Sequence, residues 1–361
     1  RKTVLQKIMA GIQARAGDLA AAITSEMGAP VGLANAAQVP SGLGHFAAVL
    51  PVLENYKFQE TRGSTLIVKE AAGVCGFITP WNWPMNQVTL KVIPALLAGC
   101  TCVLKPSEEA PLSSLLFAEF VHDAGVPAGV FNLVNGDGAG VGSQLSAHPD
   151  VEMISFTGST RAGKAISKAA AETLKRVTLE LGGKGANLIF ADADDRAVER
   201  GVKHCFNNSG QSCNAPTRML VERPAYDRAV EIAKQVADST KVASAHQTGR
   251  HIGPVVNKRQ WDQIQGHIQK GIEEGARLVS GGLGLPERDY YLSDDATKSE
   301  LRAGYEAHVA RMLGLLGAVP SRADVDIQIQ GVDGDLRRNV LILLSLERYR
   351  NRDDLDDSIP F

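Results

Sequence analysis

The sequence has few of the residues that build disulfide frameworks or metal sites. Its 361 residues include five cysteines and eight histidines. A small, odd number of cysteines in a long chain does not suit a disulfide framework, so we expect free thiols in a reducing, cytoplasmic compartment. The histidines fall in no metal-ligand spacing, and we therefore expect no bound metal.

The chain also lacks an excess of charge, a long apolar run and a secretion signal. The formal net charge is −2, which favours neither nucleic acid nor an anionic membrane as a partner. Apolar runs such as Val92 to Ala98 are far shorter than the ~20 residues of a membrane span. Arg1 and Lys2 lead into a helical pattern with no cleavage site, so we expect no signal peptide. Because the chain does not begin with Met, we expect a truncated N-terminus.

Composition and length predict a globular protein of several domains. The chain is 44% apolar and 22% charged, which is ordinary for a soluble protein. At about 150 residues per domain, the length suits two or three domains. The first 60 residues predict packing helices, over 3–27 and 42–56, and carry no recognisable chemistry.

From residue 64 onward, short apolar runs alternate with helical patterns. In the clearest helix, after Ser159, Ala162, Ile166 and Ala170 form one apolar stripe. The predicted strands are Thr65–Lys69, Val74–Ile78, Thr101–Leu104, Val130–Val134, Met153–Phe156, Arg176–Leu181, Asn187–Phe190, Met219–Glu222 and Arg277–Val279. Such alternation predicts an α/β fold with a mostly parallel sheet, which binds ligands beyond the carboxyl ends of its strands.

The first of the loops at those ends runs from Ile78 to Pro84. Its two prolines fix the backbone and hold Trp81, Asn82 and Trp83 on a stiff turn. The Asn82 amide could donate a hydrogen bond to a developing oxyanion. A rigid structural turn would explain the same residues.

The second loop begins at Lys105 and includes Ser107 and Glu108. A lysine and a carboxylate at this place suit a ribose or phosphate. A glutamate accepts hydrogen bonds from ribose hydroxyls and repels a 2′-phosphate, which favours NAD over NADP. Solvated loop charges are the alternative.

Two further loops join a strand to a helix through glycine. The loop from Gly136 to Gly142 contains Gly138 and could admit a phosphate to backbone N–H groups. The other, Phe156 to Thr160, has Gly158 for a tight turn and Ser159 for a helix cap. A plain turn and an ordinary N-cap explain these residues equally well.

The fifth loop places one carboxylate, Glu180, in an apolar strand end before Gly182 and Gly183. We expect burial of this carboxylate, which would raise its pKa and suit a general base.

The stretch from Asn208 to Cys213 puts one cysteine after a Gly-Gln pair, between a predicted helix and a predicted strand. Cys213 is a candidate nucleophile, and a buried structural cysteine is the alternative. Cys100 and Cys102 are expected in the core, with a Cys-x-Cys metal pair as the alternative.

Together, in this order, these motifs resemble the NAD(P)-dependent aldehyde dehydrogenase superfamily. The resemblance runs from about residue 3 to about residue 287. It implies that Cys213 is the nucleophile, Glu180 the general base, and Asn82 with the Cys213 N–H the oxyanion hole. The cofactor-binding residues implied are Ile78, Thr79, Pro80, Trp81, Lys105, Ser107, Glu108, Gly138, Phe156, Thr157, Gly158, Ser159, Leu181 and Gly182.

The activity implied is oxidation of an aldehyde to a carboxylic acid with NAD, through a cysteine thiohemiacetal and a thioester. The implied fold is a Rossmann-like cofactor domain plus an incomplete α/β catalytic domain. Residues 1–181 would bind NAD, and 182–287 would belong to the catalytic domain. Family members form homo-oligomers through an arm. That arm is missing here, which makes the family's homo-oligomer doubtful for this chain, and the sequence leaves the oligomeric state open.

Residues 288–361 depart from the family pattern, which would continue to a Glu-Glu-x-Phe-Gly-Pro stretch. A codon string for Glu-Glu-Ile-Phe-Gly, read in a shifted frame, can give the Gly334 to Arg337 sequence, and Val340 to Leu344 resembles a strand. We therefore expect a frame-damaged remnant. The alternatives are a genuine helical extension over Glu300 to Leu316 and, for the whole chain, a catalytically silent nucleotide-binding remnant.

Overall fold

The computed structural model describes residues 1–280, and their contacts divide them into two compact units. Unit 1 comprises Arg1–Gly182 with Ala245–Gly249, and unit 2 comprises Gly183–Ser244 with the described residues from Arg250 onward. The predictions made for residues 281–361, including the frame-damaged tail, lie outside the described residues.

Unit 1 begins with helices that pack on one another and continues with helices that alternate with strands. Short π-helices at Ala34–Gln38 and Gly138–Gly142 precede α4 and α7. The helices are α1 (Lys2–Ala14), α2 (Ala16–Met27), α3 (Val31–Leu33), α4 (Val39–Asn55), α5 (Pro84–Ala98), α6 (Leu112–Asp123), α7 (Ser143–Ala147) and α8 (Thr160–Ala171).

The strands of unit 1 form an antiparallel pair and a five-stranded parallel sheet. The pair is β1 (Gln59–Arg62) and β2 (Thr65–Val68); the sheet contains β3 (Val74–Ile78), β4 (Thr101–Lys105), β5 (Phe131–Leu133), β6 (Met153–Gly158) and β7 (Arg176–Leu181). The order across the sheet is β5-β4-β3-β6-β7. The chain therefore moves outward from β3 to β5, then returns and continues on the other side of β3.

The strands of the parallel sheet are rich in apolar residues because many of their side chains lie in the core. Ile154 of β6 is fully buried and packs with Ile78, Phe156 and Ile166 of α8. Helices cover such a sheet because a parallel strand must be followed by a crossover. The predicted α/β class with a parallel sheet is confirmed.

One helical stretch of unit 1 is apolar and long. By length and composition alone, residues 31–55 are sufficient to cross a membrane. A count of unbroken apolar runs misses this segment because polar residues such as Gln38 and His45 interrupt it. The core helix of a soluble protein passes the same test, but such a helix is mostly buried, and here 22% of the apolar window is buried. The buried residues include Val39 and Phe46, and α4 packs against α5. The absence of a membrane partner stays a prediction.

Unit 2 contains a parallel pair of strands with helices. The strands are β8 (Ala186–Ile189) and β9 (Arg218–Val221), and the helices are α9 (Asp195–Phe206), α10 (Tyr226–Ser239) and α11 (Lys258–Glu273). Val202, Met219 and Ala233 are buried in its core.

Several details of secondary structure differ from the sequence prediction. The helix predicted over 3–27 is divided at Arg15 into α1 and α2, and the helix predicted over 42–56 begins at Val39. Arg277–Val279 is not a strand in the described structure; it follows α11 as irregular chain and pairs with no strand among the described residues. Strand β1 was missed because its sequence is polar, and it owes its conformation to antiparallel pairing with β2.

The burial pattern predicts different costs for two equivalent substitutions. Leu104 of β4 is 0% exposed and Leu66 of β2 is 60% exposed. Leu104→Ala should lower the free energy of unfolding by about 2 to 5 kcal/mol because it leaves a cavity. Leu66→Ala should cost under about 0.5 kcal/mol. Urea unfolding followed by circular dichroism measures both, and equal losses would contradict the core position of Leu104.

Candidate active site

The carboxyl ends of the five parallel strands lie at one edge of the sheet in unit 1. Register places Ile78 beside Lys105 and Phe156, and Gly158 beside Leu181. Every predicted cofactor-binding residue is in one of these strand ends or in the loop that follows: Ile78, Thr79, Pro80, Trp81, Lys105, Ser107, Glu108, Gly138, Phe156, Thr157, Gly158, Ser159, Leu181 and Gly182. The structure therefore brings these sequence-distant residues to the same edge.

The strand order reverses between β3 and β6, the place where parallel α/β sheets open a crevice for ligands. Two buried threonines lie there: Thr79, which follows β3, and Thr157 near the end of β6. Among the described residues, neither hydroxyl has a hydrogen-bond partner. A buried hydroxyl without a partner is costly, so a polar ligand at this position would satisfy both groups.

Beside them, at the end of β4, Lys105 and Glu108 form an ion pair in which the lysine is buried and the glutamate is exposed. Lys105 is 2% exposed, and its Nζ lies 3.1 Å from Oε2 of the exposed Glu108. Partial burial acts to raise the pKa of Glu108, but hydrogen bonds from its own N–H and from Lys105 hold that pKa below its ordinary value. The pair thus offers a buried ammonium and an ionised acceptor at one strand end.

The two glycine-containing loops have internal hydrogen bonds. Oδ1 of Asp137 accepts from the Gly140 N–H at 2.7 Å, and Oγ of Ser159 accepts from the Ala162 N–H at 3.2 Å. Ser159 is therefore the N-cap of α8, as the plainer interpretation held. A side chain at Gly158 would approach the Phe156 ring to 2.5 Å, so this turn requires glycine.

The turn after β3 is fixed by contacts with the first helices. Asn82 is half-buried, and its backbone oxygen accepts from Nε2 of Gln38 at 3.0 Å. Gln38 is itself 0% exposed. This contact holds the backbone at Asn82 in one place.

This edge fits a nicotinamide dinucleotide. It offers two orphaned hydroxyls, a lysine–glutamate pair and the amino end of α8, which favours negative charge. Within residues 1–280, no group of three or more His, Cys, Asp or Glu side chains could hold a metal ion. The donor set therefore suits a ribose and phosphates.

Glu180 differs from its prediction, because the described structure leaves it exposed instead of buried. Strand β7 is the edge strand of the sheet, and its residues alternate between exposed and half-buried. The expectation that this carboxylate is buried is therefore wrong. Its exposure does give water direct access to the carboxylate.

Lys91 of α5 is a buried polar residue that was not predicted from the sequence. It is 7% exposed, and its Nζ donates to Oγ of Ser155 at 3.0 Å. Burial lowers its pKa to about 8, while the charge of Glu180 opposes this shift. The signal was a lysine at helical spacing from Val88 and Ala95, a position of the helix that faces the sheet.

Cys213 is the one exposed cysteine of the five. The other four are 5% exposed or less, and burial raises the pKa of Cys75 to about 12 and that of Cys205 to about 11. Buried thiols of high pKa are poor nucleophiles. The structural-cysteine interpretation is therefore wrong for Cys213, whereas the core positions of Cys100 and Cys102 are confirmed.

The loop that carries Cys213 has an unusual backbone. After α9, Asn208, Ser209 and Gly210 have φ values of 52°, 59° and 75°. A left-handed conformation costs roughly 1 to 2 kcal/mol for a residue other than glycine. Such conformations persist only where surrounding contacts enforce them, and they cluster at functional sites.

The chain was compared with known proteins. The model of the aldehyde dehydrogenase family matches residues 1–293. A curated relative, 3-succinoylsemialdehyde-pyridine dehydrogenase of a Pseudomonas species, is 51% identical over 289 residues, which are 80% of this chain and 61% of that protein. The chain thus spans less than two thirds of the length of this relative.

Solved structures of aldehyde dehydrogenases are also similar to this chain. Aldehyde dehydrogenase from Bartonella henselae is 62% identical with a TM-score of 0.77, over 79% of this chain and 61% of that one. A mutant of aldehyde dehydrogenase C from Pseudomonas syringae, solved with NAD⁺ and octanal, is 50% identical with a TM-score of 0.77, over 78% and 58% of the two chains.

The buried Lys91 should make stability depend on pH. Its folded pKa of about 8 is below the ordinary 10.5, so below pH 8 its burial as a charge destabilises the fold. From pH 8 to 10.5 the unfolded chain binds a proton that the folded chain lacks, and stability gains from this group as the pH rises. Lys91→Met should therefore raise the free energy of unfolding at pH 7 by roughly 1 to 3 kcal/mol, less than the full shift because Ser155 loses its partner.

This advantage over the wild type should shrink as the pH rises through that window. Urea unfolding of both proteins at a series of pH values measures it, and contributions from the cysteines cancel in the difference. Lys164→Met, at an exposed lysine of α8, is the matched control and should show no such trend. A pH-independent difference for Lys91→Met would contradict the charged, buried state.

Proposed function

The chain belongs to the aldehyde dehydrogenase family, and we propose that it oxidises an aldehyde to a carboxylic acid with NAD. The observation that carries this proposal is the exposure of Cys213 alone among five cysteines. The cofactor-type residues at the sheet edge of unit 1 support it. On this proposal residues 1–181 bind the cofactor and 182–287 belong to the catalytic domain.

Cys213 is the proposed nucleophile. Its thiolate sulfur attacks the aldehyde carbon, and the carbonyl π electrons move to oxygen, giving a thiohemiacetal alkoxide. The Asn82 amide and the Cys213 backbone N–H are the donors proposed for that oxyanion. When the alkoxide collapses, the former aldehyde hydrogen leaves as hydride and a thioester remains on Cys213.

Glu180 is the proposed general base for the second half of the reaction. Its carboxylate takes a proton from water while the water oxygen attacks the thioester carbon. The C–S bond then breaks and releases the carboxylic acid and the Cys213 thiolate. The exposure of Glu180 supports this role, since a hydrolytic base must meet water.

NAD, when bound, supplies the hydride acceptor that side chains cannot provide. Lys105 and Glu108 are proposed to hold its adenosine ribose, with Thr79 and Thr157 as further polar contacts. The charge of Asp137 acts on Glu108 and opposes the lowering of its pKa, which places two carboxylates near each other. Their combined charge disfavours a 2′-phosphate and supports NAD over NADP.

The second candidate is a catalytically silent, nucleotide-binding remnant. The chain matches 61% of the length of its curated relative, so the activity of the whole protein is a proposal for this chain. The substrate is a small aldehyde in the first case and none in the second. We further propose a cytoplasmic location from the cysteine usage, and neither nucleic acid nor membrane as a partner.

Loss of the nucleophile tests the function. In the purified chain with NAD and a panel of aldehydes, Cys213→Ala should reduce NADH formation by ~10³-fold or more, as loss of a covalent catalyst does. Cys100→Ala, at a buried thiol, should keep turnover. Calorimetry should show that NAD still binds to Cys213→Ala. A wild type that binds NAD without turnover would support the silent remnant, and one that does neither would contradict both candidates.

Removal of a carboxylate tests cofactor choice. Glu108→Gln should shift the ratio of NADP to NAD affinity toward NADP by about tenfold, because one negative charge no longer repels the 2′-phosphate. Calorimetric titration with each dinucleotide measures the ratio without turnover. Glu172→Gln, at an exposed carboxylate beyond the far end of α8, is the control. An unchanged ratio in Glu108→Gln would remove Glu108 from the specificity determinants.

A further inference from the structure

We propose that Ser209 and Gln211 are positioning residues that fix the Cys213 thiol by tying its loop to the segment Gly253–Val256. The inference rests on the proposed function only in taking Cys213 as the nucleophile. Neither residue needs to touch substrate or cofactor.

The loop is tied to that segment by two hydrogen bonds across more than forty residues of sequence. Oγ of Ser209 donates to the Gly253 oxygen at 2.7 Å, and the Val256 N–H donates to Oε1 of Gln211 at 2.9 Å. Ser209 is 8% exposed and Val256 is 4% exposed. The Ser209 bond is buried and the Gln211 bond is partly buried. Breaking either is costly because it leaves a polar group without this partner.

The segment is itself anchored on both sides. Before it, the Ile252 N–H donates to the Lys241 oxygen at 2.9 Å, and Ile252 pairs with Val242. After it, Oδ1 of Asn257 accepts from the Gln260 N–H at 2.8 Å and caps α11. The two ties therefore connect the loop to a fixed part of unit 2.

The loop also closes on itself through Gln211. The Asn208 oxygen accepts from the Gln211 backbone N–H at 3.1 Å and from its Nε2 at 3.2 Å. These bonds form around the left-handed residues, which would relax to ordinary conformations if the ties were absent. Because Cys213 lies two residues after Gln211, release of this side chain would free the backbone that carries the thiol.

Alkylation of Cys213 by iodoacetamide tests the inference without cofactor or aldehyde. Cys213 is the one exposed thiol, so native labelling reports on it alone. The wild-type rate constant should differ at least about threefold from that of a synthetic peptide of residues 207–214, because local environment sets thiol reactivity. Gln211→Ala should move the rate constant toward the peptide value. Gln269→Ala, at a glutamine of α11 that bonds Glu273, should leave it unchanged.

A pair of substitutions at Asn208 tests the backbone conformation. Asn208→Ala and Asn208→Gly both lose the hydrogen bond from Nδ2 to the Gln211 oxygen. Asn208→Ala should move the rate further toward the peptide value than Asn208→Gly does, since glycine adopts positive φ freely. The dependence of each rate on pH, with the buried Cys205 unlabelled, distinguishes local release from general unfolding. A wild-type rate equal to that of the peptide would overturn the inference, as would a Gln211→Ala rate equal to the wild type or equal rates for the two Asn208 variants. If the wild-type chain shows no turnover but these differences in alkylation rate are present, the result would count against the proposed function and not against this inference.

Discussion

The parallel pairing of β3 with β4 on one side and β6 on the other is the constraint on which the described structure of unit 1 depends. Strands that run in one direction end at one edge, so the residues after Ile78, Lys105 and Gly158 meet there although up to eighty positions separate them in sequence. The crossover helices follow from the same constraint, because parallel neighbours cannot be joined by a tight turn.

The same register also places polar groups on one face of the sheet. Ser155 pairs with Thr178, and Thr157 pairs with Glu180, so their side chains share a face of neighbouring strands. Lys91 reaches this face from α5 and bonds Ser155. A buried ammonium that destabilises the fold at neutral pH, next to an electrostatic partner proposed as a catalytic base, is the combination expected where function and stability conflict.

Much of the fold could be predicted from the sequence because its signals are local. Short, mainly apolar runs predicted β3, β4 and β6, and the spacing of Ala162, Ile166 and Ala170 predicted α8. Strand β1 could not be predicted, since its polar residues are extended only by pairing with β2. The exposure of Glu180 depends on which strand lies at the sheet edge, a property of the whole topology that a strand's own residues do not encode.

Some features of the candidate site could likewise be predicted from the sequence, and others could not. Cys213 could be chosen from its motif, but its exposure could not, because Cys205 lies eight positions earlier and is buried in the core. What separates the two thiols is the left-handed turn between them, which ends α9 and turns the chain out of the helix path. Asn and Gly at 208 and 210 suit that turn, yet Ser209 adopts it with a bond to Gly253 that no local pattern predicts. The motif therefore specifies the chemistry of this loop, and a contact distant in sequence specifies its conformation.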